Sequence, residues 1–120
     1  PPRPEPAVPP EERLRAAMAQ LDTDPRAASL ALRALVAAPP PGLEARVHGA
    51  YLAALYRARS VAEFERAYDQ AAAKGLKLNA MMAQAPAFKA VMAEESRAKK
   101  AKQEGVIPMG LFQRMLADLQ

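Results

Sequence analysis

Residues 46–79, RVHGAYLAALYRARSVAEFERAYDQAAAKGLKLN, hold two segments of helical period, one short turn between them and one glycine at the end. Val47, Tyr51 and Leu55 stand four apart with Leu52 and Tyr56 beside them, which draws a wide apolar stripe. Arg57-Ala58-Arg59 follows and leads into Ser60-Val61-Ala62-Glu63. That S-x-x-E pattern predicts a capping box, with the Ser60 hydroxyl accepting from the Glu63 N–H and the Glu63 side chain reaching back to the Ser60 N–H. Val61, Phe64, Ala67, Tyr68 and Ala71 form the second stripe, and Lys74-Gly75 offers a left-handed stop. A helix–turn–helix unit of this size is a repeat-type building block, which needs neighbours to cover its apolar faces.

An echo lies upstream. Gly42 stands 33 positions before Gly75, and at that offset Ala31 falls on Phe64, Ala34 on Ala67, Leu35 on Tyr68 and Ala38 on Ala71. Asp24-Pro25 supplies an N-cap followed by proline, in the role of Ser60-Val61. Glu11–Leu21 offers a preceding helix with Leu14, Met18 and Leu21 on one side and acidic residues in its first turn. The pattern predicts helices over 11–21, 25–38, 43–58, 61–74 and 86–104, with a short one over 110–118. Val47, Tyr51, Leu55, Phe64 and Tyr68 are the expected core, with Leu32 and Leu35 stacking on them.

Composition agrees with an all-α class. No stretch alternates apolar and polar residues as a half-buried strand does. The chain has no Trp, three Phe, three Tyr and six Met among 120 residues, so small residues and Leu must fill much of the core. The absence of Cys removes disulfides and cysteine zinc sites from consideration. No run reaches the roughly 20 apolar residues that cross a bilayer, so no membrane insertion is expected.

Four organisational pieces are expected. Residues 1–10, PPRPEPAVPP, contain six prolines and read as an extended arm. Residues 11–85 read as the helical-hairpin domain. Residues 86–105 begin with Phe88, Val91 and Met92 on an inner side, turn polar beyond Glu94, and read as a charged projecting helix. Residues 106–120 carry Leu111, Phe112, Met115, Leu116 and Leu119, a small stripe that either folds back or meets another protein; the polar rod before it favours a partner-binding tail.

The net charge of +4 raises the question of nucleic acid. RAKKAK at 97–102 holds four of the seventeen basic residues, bracketed by Glu94, Glu95 and Glu104. Mixed signs of this kind usually mark a solvated helix face, and they also suit docking on an acidic protein surface. Chemistry is nearly absent from the chain. His48 is the one histidine, and its place beside Tyr51 and Leu52 predicts packing rather than catalysis. Asp22 and Asp24 read as capping residues, while Glu11-Glu12 and Glu94-Glu95 are adjacent and so diverge on a helix. No phosphate-binding glycine loop occurs. We expect no catalytic residues, no cofactor, no metal and no small-molecule substrate.

Residues 46–79 resemble a pentatricopeptide repeat, with an aliphatic first helix, a basic turn and a second helix ending in Lys-Gly-x-Lys-x-Asn. In that register Leu52 and Val61 take apolar positions, Tyr68 the aromatic one, and Asn79 the closing polar one. Leu78 stands where proline is common and Arg59 where glycine is common. RNA-reading members use one side chain early in the first helix and one at the repeat end. The early position corresponds to Gly49, next to Ala50, which leaves Asn79 alone and implies no specific nucleic-acid recognition. Residues 44–112, with AKKAKQEG and then Pro108, Gly110 and Leu111, are similar to the extra subunits that decorate the catalytic head of mitochondrial ATP synthase in euglenozoan protists, one copy beside each α subunit. The resemblance implies a short right-handed α-α superhelix with a projecting C-terminal helix. It further implies a non-catalytic accessory role bound to the F1 α subunit, and a mitochondrial matrix location. The alternative is a small organellar RNA-binding pentatricopeptide protein or a mitochondrial ribosome accessory subunit.

Overall fold

A computed structural model describes residues 8–119, so most of the proline-rich arm lies outside the described residues. Those residues form seven helices and no strand: α1 Pro10–Ala19, α2 Pro25–Ala37, α3 Glu44–Arg57, α4 Val61–Ala73, α5 Leu78–Gln84, α6 Pro86–Lys100 and α7 Met109–Asp118. The expected helices are present within a few residues. Pro10 belongs to α1 rather than to the arm, because proline is at ease in a first turn, where an N–H lacks a partner anyway.

Helix α3 is the centre of the molecule. It packs against α2, α4, α5 and α6, and eleven of its residues, from Ala45 to Tyr56, are buried. The stripe read from Val47, Tyr51, Leu55, Leu52 and Tyr56 understates this, since Ala45, Ala50, Ala53 and Ala54 are covered as well. A helix apolar nearly all round belongs inside. The seven residues expected in the core, including Leu32, Leu35, Phe64 and Tyr68, all lie in one buried cluster.

The internal echo read at an offset of 33 does not match the faces that are buried. Helices α2 and α4 are both thirteen residues long and begin 36 positions apart, with Asp24 and Ser60 as their N-caps. At that spacing buried Ala28, Leu32 and Leu35 match buried Phe64, Tyr68 and Ala71, whereas Ala31, Ala34 and Ala38 are exposed. Alanine-rich sequence aligned the wrong faces. Gly42 also differs from Gly75. It sits in a turn closed by Leu43 N–H to Pro40 O, with φ +81, after the prolines have ended α2.

Three helices end in the same device. Gly75, at φ +81, follows α4, where Leu76 N–H reaches Ala71 O and Gly75 N–H reaches Ala72 O. Arg59, at φ 60, does this after α3 with Ser60 N–H to Leu55 O, and Lys102, at φ 56, does it after α6 with Gln103 N–H to Ala98 O. The capping box is a casualty of this arrangement. The Ser60 N–H is already used, and neither side chain closes the box. Ser60 Oγ and Glu63 Oε1 instead accept from Arg26 Nη1 of α2, at 3.3 and 3.2 Å. Asp24 does cap α2, accepting from Ala27 N–H at 3.1 Å.

The projecting rod and free tail are overturned. Helix α6 stops at Lys100, the chain reverses, and Glu95, in the supposedly solvated half, is fully buried. Its carboxylate accepts from Val106 N–H at 2.9 Å and Ile107 N–H at 2.5 Å, from Tyr56 Oη at 3.1 Å and from Lys99 Nζ at 3.2 Å. Lys99 also donates to Ile107 O at 2.5 Å. Gly105 passes so close to the Glu95 carboxylate that a Cβ there has no room. This anchor turns α7 back onto α4 and α6. Tyr68 Oη and Arg114 bond Asp118 and Asp69 respectively, and Lys99 lies 5.8 Å from the Phe112 ring centroid.

Candidate functional site

The residues expected to bind a partner do not form a free surface. Leu111, Phe112 and Met115 are buried within their own chain and Leu119 is half-buried. Leu116 alone is exposed, and one leucine is no interface. The apolar spacing was right, but its target is α7's own domain.

A groove of about 600 Å³ opens elsewhere, between α2 and α4 with α3 beneath. Its walls follow from helical spacing. Arg26 and Arg33 stand seven apart on α2, two turns on one face, while Glu63, Arg66 and Gln70 of α4 and its C-cap Lys74 stand at i, i+3, i+7 and i+11. Tyr51 of α3, with Val36, Ala37 and Ala67, lines the less polar part. Four cations thus face one carboxylate. Arg26 is engaged with Glu63 at 3.2 Å, and Lys74 Nζ lies 3.3 Å from His48 Nε2. Arg33 and Arg66 make no ion pair among the described residues.

The groups sense one another. Burial raises the Tyr51 phenol above its ordinary 10.0 and Glu63 adds to that, while Arg33, Arg26 and Arg66 pull it back. His48 is buried and held below 6.5, first by desolvation and then by the Lys74 charge. It is therefore neutral at physiological pH. With Lys74 donating to Nε2, the ring proton sits on Nδ1, a buried atom without a partner. His48 thus touches the groove only through Lys74.

The position that the pentatricopeptide resemblance would assign to base reading is closed. Gly49 is buried, and a Cβ there meets Ala85 Cβ at 2.6 Å and Met81 O at 2.9 Å. Asn79 is exposed on α5. No group of three His, Cys, Asp or Glu side chains among the described residues is placed to hold a metal ion. No helix among them is long and apolar enough to cross a membrane.

Sequence reading looked for basic charge in RAKKAK, where Lys99 is in fact committed to Glu95. The groove was missed because its cations are spread over two helices 33 or more residues apart. The available signal was the pairing of an Arg26/Arg33 heptad with the Arg66/Lys74 face across one apolar helix. Comparison with family models, with curated proteins and with solved structures finds no match for this chain.

Proposed function

We propose that this chain is a non-catalytic accessory subunit, a helical-hairpin module that binds another protein. The observation that carries the reading is Gly49 wedged beneath α5, because the position that reads RNA in pentatricopeptide repeats is spent here on helix packing. A side chain at that position has no path to a base. We infer also that the successive helix pairs α1/α2, α3/α4 and α5/α6 wind as a short right-handed superhelix.

The host complex in this proposal is mitochondrial ATP synthase, with the subunit on the F1 head beside α, in the mitochondrial matrix. That choice rests on the similarity of residues 44–112 to the euglenozoan head subunits, and it involves neither a cofactor nor a small-molecule substrate. Affinity purification of the tagged full chain from its own cells, followed by mass spectrometry, tests it. The expected result is recovery of the F1 subunits in constant ratio. Recovery of ribosomal proteins, or of one defined RNA held tightly at physiological salt, overturns it in favour of the RNA-linked alternative. Nonspecific RNA binding through phosphates alone falls steeply with salt and is distinguished on that basis.

A further inference from the structure

We propose that the groove between α2 and α4 binds an acidic segment of a partner protein, with Arg33 and Arg66 holding its carboxylates. The proposal deepens the accessory-subunit reading and rests on it for the nature of the partner.

Charge comes first. Four cations line the groove against the single carboxylate of Glu63, and that carboxylate is already occupied by Arg26. Two guanidinium groups, one on each wall, are left without an ionic partner among the described residues. A guanidinium presents two parallel N–H donors that match a carboxylate fork, and it loses less freedom on pairing than an ammonium does. An anion entering here gains from both walls, while Gln70 offers an amide on the α4 wall.

Shape and lining then select among anions. The volume lies within the roughly 300–1,000 Å³ typical of clefts that enclose a compact ligand or a few residues of chain. Val36, Ala37 and Ala67 give apolar contact suited to the methylenes of Glu or to an intervening aliphatic residue. Single-stranded nucleic acid needs aromatic faces on which bases stack. Tyr51 is the one aromatic residue of the groove and is only 8 % exposed, so no such platform exists. Glu63 also faces any run of phosphates with repulsion. A peptide with spaced carboxylates places one at each guanidinium and avoids Glu63.

Fluorescence anisotropy on the full chain tests this with three probes: a short labelled glutamate-rich peptide with interspersed leucine, its glutamine counterpart, and an oligouridylate of equal length. The glutamate peptide is expected to bind in a salt-dependent way, the glutamine peptide at least about tenfold more weakly, and the RNA no more tightly than the glutamate peptide. Arg33→Glu/Arg66→Glu is expected to weaken the glutamate peptide by at least about tenfold, whereas Arg97→Glu on the exposed face of α6 leaves it unchanged. Circular dichroism verifies the fold of each, and Arg33→Gln/Arg66→Gln replaces the reversal if that variant unfolds. Equal binding by the groove variants and the parent, no binding of the glutamate peptide, or preferential binding of the RNA overturns the proposal. The two levels separate in purification from cells. If the groove variant still recovers the host complex in full, the groove assignment fails and the accessory role stands; if the parent recovers none, the accessory role itself fails.

Discussion

Gly49 sets how near α3 can come to the α5–α6 junction. Alanine there is expected to cost about 1–3 kcal/mol, since its Cβ lands 2.6 Å from Ala85 Cβ and the Met81 carbonyl blocks a simple sideways escape. Ala85→Gly should restore part of that loss in a double-mutant thermal melt, and an unchanged Tm for Gly49→Ala rules out the close approach. Glu95 is the second decisive residue. Burial pushes its carboxyl up, but the bonds from Val106, Ile107, Lys99 and Tyr56 outweigh that and hold it below 4.5. The same contact, after burial, pushes the Tyr56 phenol to about 12. Because the folded value of Glu95 is depressed, its stabilisation is complete above pH 4.5 and is lost as pH falls through the folded value. His48 acts earlier. The folded chain resists protonating it, so the unfolded chain takes that proton first and stability declines as pH falls through 6.5. Denaturant titrations from neutral to acid should therefore show two steps of weakening. Glu95→Gln should remove the lower step and cost about 3 kcal/mol at neutral pH, because Lys99 loses its buried partner. A single step, or a Glu95→Gln variant as stable as its parent, contradicts this assignment.

The helices and their ends explain which parts of the chain were legible in advance. Segments with a sustained stripe, such as α2 and α4, announced themselves, because that signal is local, even though Ser60 makes no capping bond to α4. Helix α5 did not. It has seven residues, no charged residue, no side-chain cap and a proline two positions past its last residue, although Leu78, Met81 and Ala85 stand at helical spacing and are all buried. The return of α7 was illegible for another reason. It depends on one glutamate in a polar run meeting two backbone N–H groups eleven and twelve residues later, a contact that periodicity does not register. Removing residues 106–120 takes away Ile107, Leu111, Phe112 and Met115 and leaves Glu95 short of two donors. The truncated chain should melt well below the parent, while Leu116→Ala, at an exposed position, changes stability by no more than about 0.5 kcal/mol. Equal melts for parent and truncation contradict the docked position of α7. The caps give a complementary test. Arg59 holds a left-handed conformation at φ 60, where glycine would carry no Cβ penalty. Arg59→Gly should raise stability by up to about 1 kcal/mol, the relief of the Cβ penalty less the added entropy of the unfolded chain. A clear loss of stability on that substitution contradicts the relief.

At the scale of the whole molecule, the groove and the buried core are two uses of the same stacking. Placing α2 and α4 on either side of α3 covers the apolar stripes and leaves the outer parts of both helices, with their arginines, facing each other across a trough. The core was foreseeable from apolar spacing alone, whereas the trough needed the relative placement of two helices. Enclosing α3 also has a consequence in time. Its amide protons reach solvent only when several surrounding helices part together, whereas α1 needs only to leave α2 among its principal neighbours. In deuterated buffer, exchange should run from the chain's ends inward, with α3 the last to take up label and α1 and α7 among the first. If α3 labels as fast as α1, the centre is not closed. With that order, the end helices can loosen and re-form many times while the centre of the chain stays shut.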